Sequence, residues 1–160
     1  MPPTPVSNRE PGKPINLPVL YSVATAVAMA LARNYFPIAP MLAPPVGYIV
    51  GTVLIVAGIG VTVSAGVSFR QARTPLLPFE QSTTVVTTGL YRLSRNPMYV
   101  GMAMTLLGIA SLMGRLSPFL LVAVFVAIIH FRFVLPEEKF LEGLFGTEYL
   151  DYKKRVRRWI

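Results

Sequence analysis

The sequence predicts an all-α integral membrane protein with four transmembrane helices, and three observations carry that expectation. Hydrophobic residues make up 53% of the 160 and charged residues only 14%, whereas a soluble domain is about one quarter charged. Four stretches hold no formal charge when the one histidine is neutral: residues 14–32, 34–69, 96–114 and 116–131. A helix needs about 20 mostly apolar residues to cross a bilayer, so four crossings fit and little chain is left for a soluble domain. The basic residues are also distributed unevenly. With both termini in the cytoplasm, Arg33 and Arg115 alone of the 15 lysines and arginines fall outside, as the positive-inside bias requires.

Residues 1–16, rich in proline and polar groups, read as a flexible cytoplasmic tail. The expected spans are about 17–33, 46–67, 98–113 and 117–135, all within a single membrane domain, 17–160. The first lacks a small-residue cleavage site, because "LARNYFP" follows it, and reads as a retained anchor. "NYFPIAPMLAPPVG" (34–47) holds four prolines and reads as an extended connection on the outer face. The second span carries Gly51, Gly58 and Gly60, small residues that let helices approach closely, so it is expected at the centre of the bundle. The third is short. "GRLS" (114–117) then turns it into the fourth as a tight antiparallel hairpin. That turn brings Asn96 and Arg132 to one end of the molecule.

Beyond residue 135, Pro136 with Glu137 and Glu138 reads as a fresh helix start, and Gly146 as its stop. "TEYLDYKKRVRRWI" sets Tyr149, Tyr152, Val156 and Trp159 on one face with basic residues around the rest, the pattern of a helix lying in the membrane interface. The net charge of +8 sits beside membrane segments, so anionic lipids are the expected partner rather than nucleic acid. The chain has no cysteine, which excludes disulfides, thiolate metal sites and a cysteine nucleophile. One histidine without a His/Asp/Glu cluster argues against a metal centre.

"RLSRNPMYVG" (92–101) is where chemistry first enters. Its plain reading is a capped helix start, with Asn96 as cap, Pro97 at the first position and arginine and tyrosine at the headgroups. Such a start also presents backbone N–H groups and partial positive charge, which suit a carboxylate or phosphate, with Arg92 and Arg95 beside them. Glu137 and Glu138 serve as first-turn acids, or as acceptors for the vicinal hydroxyls of a ribose. Arg132 either snorkels to the headgroups or faces the bundle interior, where it suggests a bound anion. His130 reads as a neutral interfacial residue. Tyr91, following Gly89 in a loop, is harder to explain as a membrane anchor than Tyr99.

"TTVVTTGLYRLSRNPMYVGM" followed by "EEKFLEGLFGTEYLDYKKRV" resembles the integral-membrane methyltransferases related to isoprenylcysteine carboxyl methyltransferase, a wider group that includes phospholipid N-methyltransferases. The resemblance covers about residues 83–156. It implies a cytoplasm-facing pocket for S-adenosylmethionine, held by Thr83, Thr84, Val85 and Val86, by Gly89 and Tyr91, and by Arg95, Asn96, Pro97, Met98 and Tyr99. Glu137 or Glu138 joins them. By the same resemblance, Arg132 and Glu137 are the residues tied to catalysis. This chain has Asn96 where a common family pattern has histidine, so a contact that needs an imidazole is lost. The N-terminal half offers no specific match.

The chemistry that the resemblance implies needs no covalent nucleophile, because methyl transfer is an in-line displacement governed by proximity and alignment. A carboxylate or thiolate acceptor needs no base, whereas a protonated thiol or amine must first lose its proton. The expected acceptor is a lipophilic small molecule or lipid-linked group. The compact chain, without an evident targeting sequence, fits a prokaryotic plasma membrane. Two other readings stand beside this one: an NADPH-dependent reductase of the sterol-reductase type, and a non-enzymatic scaffold whose basic tail binds anionic lipid. The sequence leaves the acceptor atom and the oligomeric state open.

Overall fold

A computed structural model describes residues 17–71 and 84–160. The tail expected over 1–16 and the site residue Thr83 lie outside the described residues. The elements are α1 (Leu17–Tyr35), α2 (Pro44–Gln71), a 3-10 turn (Gly89–Arg92), α3 (Pro97–Met113), α4 (Leu116–Ile129), a π-helical turn (His130–Val134), α5 (Leu135–Phe145) and α6 (Thr147–Arg155). The described residues form no strand beyond an isolated antiparallel bridge between Pro40 and Arg115.

Among the described residues, two helices are long and apolar enough to cross a membrane, Pro44–Gln71 and Leu116–Phe145, while Pro97–Met113 is apolar but shorter. The outer face of α2 is apolar: Ile49, Val53, Val56, Ile59 and Val63 are all exposed. An apolar surface of that extent is what a lipid-facing helix presents.

α2 and α3 form the most extensive helix pair, and glycine is the reason. Gly51 and Gly58 stand seven residues apart, two turns along one face, and so do Gly101 and Gly108. Gly51 meets Gly108 and Gly58 meets Gly101 in antiparallel register. A Cβ on Gly58 would lie 2.6 Å from the Gly101 carbonyl oxygen, and one on Gly108 would lie 2.6 Å from that of Gly51. Thr62 and Thr105 border this seam, and each donates its hydroxyl to the carbonyl four residues back, at 2.9 Å in both cases. The central place expected for α2 rests on Gly51 and Gly58. Gly60 has nothing within 4 Å of where its Cβ would be and plays no part.

The expected tight turn between α3 and α4 is present. Gly114 adopts φ 66°, and its N–H caps α3 through the carbonyls of Ala110 and Ser111. The α2 seam is nonetheless the larger contact of α3, because glycine backbones approach more closely than side chains allow elsewhere. α1 packs mainly on α4. There Met29 is fully buried, and Tyr21 meets Phe133 edge to face at 5.6 Å.

Two expectations about proline need correction. Pro44 and Pro45 belong to α2 rather than to the connection before it, since the first helical turn needs no N–H from them. Pro136 does stand in the first turn of α5 with Glu137 and Glu138, as expected, but no break precedes it, because helix continues from Leu116 to Phe145 through the π turn. The Leu135 N–H reaches back five residues to the His130 carbonyl. Proline clashes with the carbonyl four residues before it and lacks an N–H of its own. The widened turn just ahead of Pro136 accommodates both defects.

One end of the bundle is closed by the 36–43 connection, where Met41 N–H bonds to the Gly114 carbonyl at 2.9 Å and Leu116 N–H to that of Ala39 at 3.1 Å. The opposite end gathers the end of α2, the 84–96 segment, α5, α6 and the C-terminal residues.

Candidate functional site

The 84–96 segment is fixed from two sides. On the α2 side, Tyr91 is buried with Ala65 and Val86, and its ring meets Phe69 edge to face at 5.3 Å. Gly89 turns the chain with φ 60°, and a Cβ there would come within 2.9 Å of the Ser68 hydroxyl. On the C-terminal side, Tyr152 donates its hydroxyl to the Tyr91 carbonyl at 2.7 Å. Val85 packs on the buried cluster of Tyr149, Tyr152 and Val156. That cluster corrects the membrane-interface reading of the last helix: its apolar face is covered by protein, because the 84–96 segment and α5 reach it first.

The final residues run across the start of α3. Arg95 N–H bonds to the Arg157 carbonyl at 2.9 Å. The Asn96 side-chain amide donates to the Arg158 carbonyl at 3.0 Å, and the Ser94 hydroxyl to the same carbonyl at 3.4 Å. Asn96 therefore does not cap α3 with its side chain. The competing partner is the tail, whose unpaired carbonyl needs a donor once it is buried. Trp159 lies beside the core of α3 and α4, 6.0 Å from the His130 ring.

Glu138, 4% exposed, is the anchor of this arrangement. It accepts from Arg158 at 2.8 Å and 3.0 Å, lies 3.4 Å from Arg95 and 4.0 Å from Lys153. The carboxylate beside Arg158 holds that guanidinium above its usual range. Lys153 also pairs with Glu142. Glu137, one residue earlier, turns elsewhere and accepts the Tyr99 hydroxyl at 3.2 Å. The two glutamates thus separate, one binding the tail and the other facing the tyrosine of the α3 start.

Arg95 is buried, with its side chain 8% exposed. Its Nε and one terminal nitrogen have no hydrogen-bond partner. An unpaired buried guanidinium N–H loses hydration without replacement, so these two nitrogens are left able to donate. Burial pushes the phenols of Tyr91 and Tyr149 up, as does the negative charge of Glu137 on both. Tyr152 is pushed up to about 12 by burial, partly offset by Arg95. All three are neutral donors at ordinary pH.

The structure thus brings Tyr91, Arg95, Asn96, Tyr99, Glu137 and Glu138 to one end of the bundle. Pro97 is buried and Met98 packs against the Tyr91 cluster. Val86 lies in that same cluster, and Val85 in the neighbouring one. Thr84 is exposed, and so is Arg132 on the π turn. Neither is drawn into the cluster. Sequence reasoning missed Arg158 and the hydroxyl of Tyr152 as organising groups. Their partners lie 20 and 61 residues away, and such pairings leave no local spacing.

No solved structure matches the chain. An uncharacterized protein of Haemophilus influenzae is 36% identical over 63 residues, 39% of this chain and 100% of that relative. The family model described as phospholipid methyltransferase matches residues 46–148, a range that holds α2 from Val46 onward, the 84–96 segment, the π turn and both glutamates. By that match over more than half of its length, the chain belongs to the phospholipid methyltransferase family.

Proposed function

We propose that this protein transfers a methyl group from S-adenosylmethionine to a lipid or other lipophilic acceptor at the cytoplasmic face of a membrane. The observation that carries the proposal is the buried Arg95 guanidinium with two nitrogens lacking a partner, at the end of the bundle that also holds the Tyr99–Glu137 pair. S-adenosylmethionine carries a carboxylate and a ribose, and this donor and acceptor set fits both. Arg95 would hold the carboxylate through its free N–H groups. Glu137 would accept the ribose hydroxyls, since Glu138 is engaged by Arg158 and Arg95. Tyr91 and Met98 would supply apolar wall. The cofactor, when bound, supplies a methyl group on a sulfonium as electrophile.

The residues of the chain then bind, orient and exclude water, which is most of what an in-line displacement requires. Tyr99 orients Glu137 through its hydroxyl. The tail, fastened through Glu138 and Asn96, closes the site from the cytoplasm. Arg132, exposed on the π turn between α4 and α5, is the residue we assign to the acceptor rather than to the cofactor. We also infer four crossings with both termini cytoplasmic, from the distribution of basic residues. Membership of a methyltransferase family favours this reading over the reductase and scaffold alternatives. Labelled methyl groups from S-adenosylmethionine should appear in the lipid extract of membranes containing the protein. Absence of label above a protein-free control would count against it.

A further inference from the structure

Arg92 and Arg95 lie three residues apart, yet they face different surroundings. Arg95 is buried against Glu138, whereas Arg92 is exposed at a separate cleft of about 240 Å³, lined by Thr87, Arg92, Tyr152, Arg155 and Val156. Arg95, Tyr99 and Glu137 do not line it. We propose that this cleft binds a phosphate group, either on a lipid headgroup or free in solution. The inference does not depend on the methyl-transfer reading.

The two walls of the cleft are tied together. Tyr152 on α6 donates its hydroxyl to the Tyr91 carbonyl at 2.7 Å, one residue from Arg92 and three from Arg155. Beyond it, the Arg95–Arg157 backbone bond at 2.9 Å holds the same two segments together. The tyrosine hydroxyl is therefore committed, and Tyr152 and Val156, both buried, form the wall. The groups left for a ligand are the Arg92 and Arg155 guanidiniums and the Thr87 hydroxyl. Arg155 donates its Nε to the Asp151 carbonyl at 3.3 Å, which leaves its terminal N–H groups open. The nearby Asp151 carboxylate is engaged by Lys154 at 2.9 Å. Neither Arg92 nor Arg155 has an ion pair among the described residues.

Two guanidinium groups on one cleft without a lining carboxylate repel each other, and an anion between them reverses that sign. Phosphate has enough acceptor oxygens for two arginine forks and a hydroxyl at once, which a single carboxylate does not. The volume is below the roughly 300–1,000 Å³ of drug-sized pockets, so it suits a small polar group rather than a large apolar one. The cleft lies at the end of the bundle where α2 ends and α3 begins, within reach of both headgroups and solutes.

The test is calorimetric titration of the full chain in detergent with inorganic phosphate and, separately, with a short-chain phosphatidic acid. Saturable binding of at least one probe is expected, weakened about tenfold or more in Arg92→Gln/Arg155→Gln. The control is Arg33→Ala/Lys139→Ala, which removes the same charge at exposed positions outside the cleft and should bind as the wild type does. Binding of phosphatidic acid alone assigns the site to a lipid headgroup, and binding of inorganic phosphate assigns it to phosphate without a required tether. If neither probe binds, or if both double variants weaken equally, the proposal is wrong.

Discussion

Glu138 and Arg158 form a two-point ion pair across 20 residues, Nε to Oε1 at 2.8 Å and a terminal nitrogen to Oε2 at 3.0 Å. It fastens the C-terminal residues over the start of α3. The same carboxylate lies 3.4 Å from the buried Arg95, so one side chain links the tail to the candidate cofactor site.

The first prediction is an asymmetry between the two partners. Glu138→Ala should destabilise the protein more than Arg158→Ala, by about 2 kcal/mol or more in total. Removing Arg158 leaves Glu138 with Arg95 and Lys153, and Arg158 is itself 35% exposed. Removing Glu138 leaves Arg95 buried with no carboxylate. Thermal unfolding in detergent checks the order, and equal losses would argue against the anchoring role.

The glycine seam makes a second prediction. Gly58→Ala should disrupt the α2–α3 pair, because its Cβ would lie 2.6 Å from a backbone oxygen that cannot move aside. Overpacking of this kind costs about 1–3 kcal/mol. Gly60→Ala, two residues away with open space around it, should be neutral or slightly stabilising. Melting temperatures of the pair decide the matter, and similar losses in both would contradict the register.

Tyr152 makes the third prediction, through pH. Burial raises its phenol from 10.0 to about 12, so the folded state favours the protonated form. That contribution to stability is complete below about pH 10 and is lost as pH rises towards 12. Tyr91 and Tyr149 are shifted further in the same direction, so their loss also begins above about pH 10 but extends to more alkaline pH than that of Tyr152. Trp159, the single tryptophan, reports tail release by its emission and by its access to a quencher. Tyr152→Phe should weaken docking by about 1 kcal/mol at neutral pH through loss of the bond to the Tyr91 carbonyl. It should also reduce the alkaline step, and an unchanged step would remove Tyr152 from the account.

The apolar helices were legible in the sequence because charge-free runs of bilayer length leave few alternatives. The α3 start at Pro97 and the turn at Gly114 were legible because proline and glycine act through local backbone geometry. Periodicity showed that Tyr149, Tyr152 and Val156 share a face, but not that protein rather than lipid covers it. Asn96 read as a cap because its neighbours in sequence said so, while its actual partner lies 62 residues away. Pro136 read as a boundary because a π turn has no compositional mark. For the site, the sequence supplied the two glutamates as equivalents, and only packing assigned one to the tail and the other to Tyr99.

Equilibrium titration of the detergent-purified chain with S-adenosylhomocysteine, beside NADPH, tests the central claim most directly. Wild-type protein should bind S-adenosylhomocysteine saturably and ignore NADPH. Glu137→Gln and Arg95→Ala should each weaken that binding about tenfold or more, with the folded state confirmed by Trp159 emission. A well-folded wild-type sample that binds NADPH alone, or neither compound, would contradict the methyltransferase account.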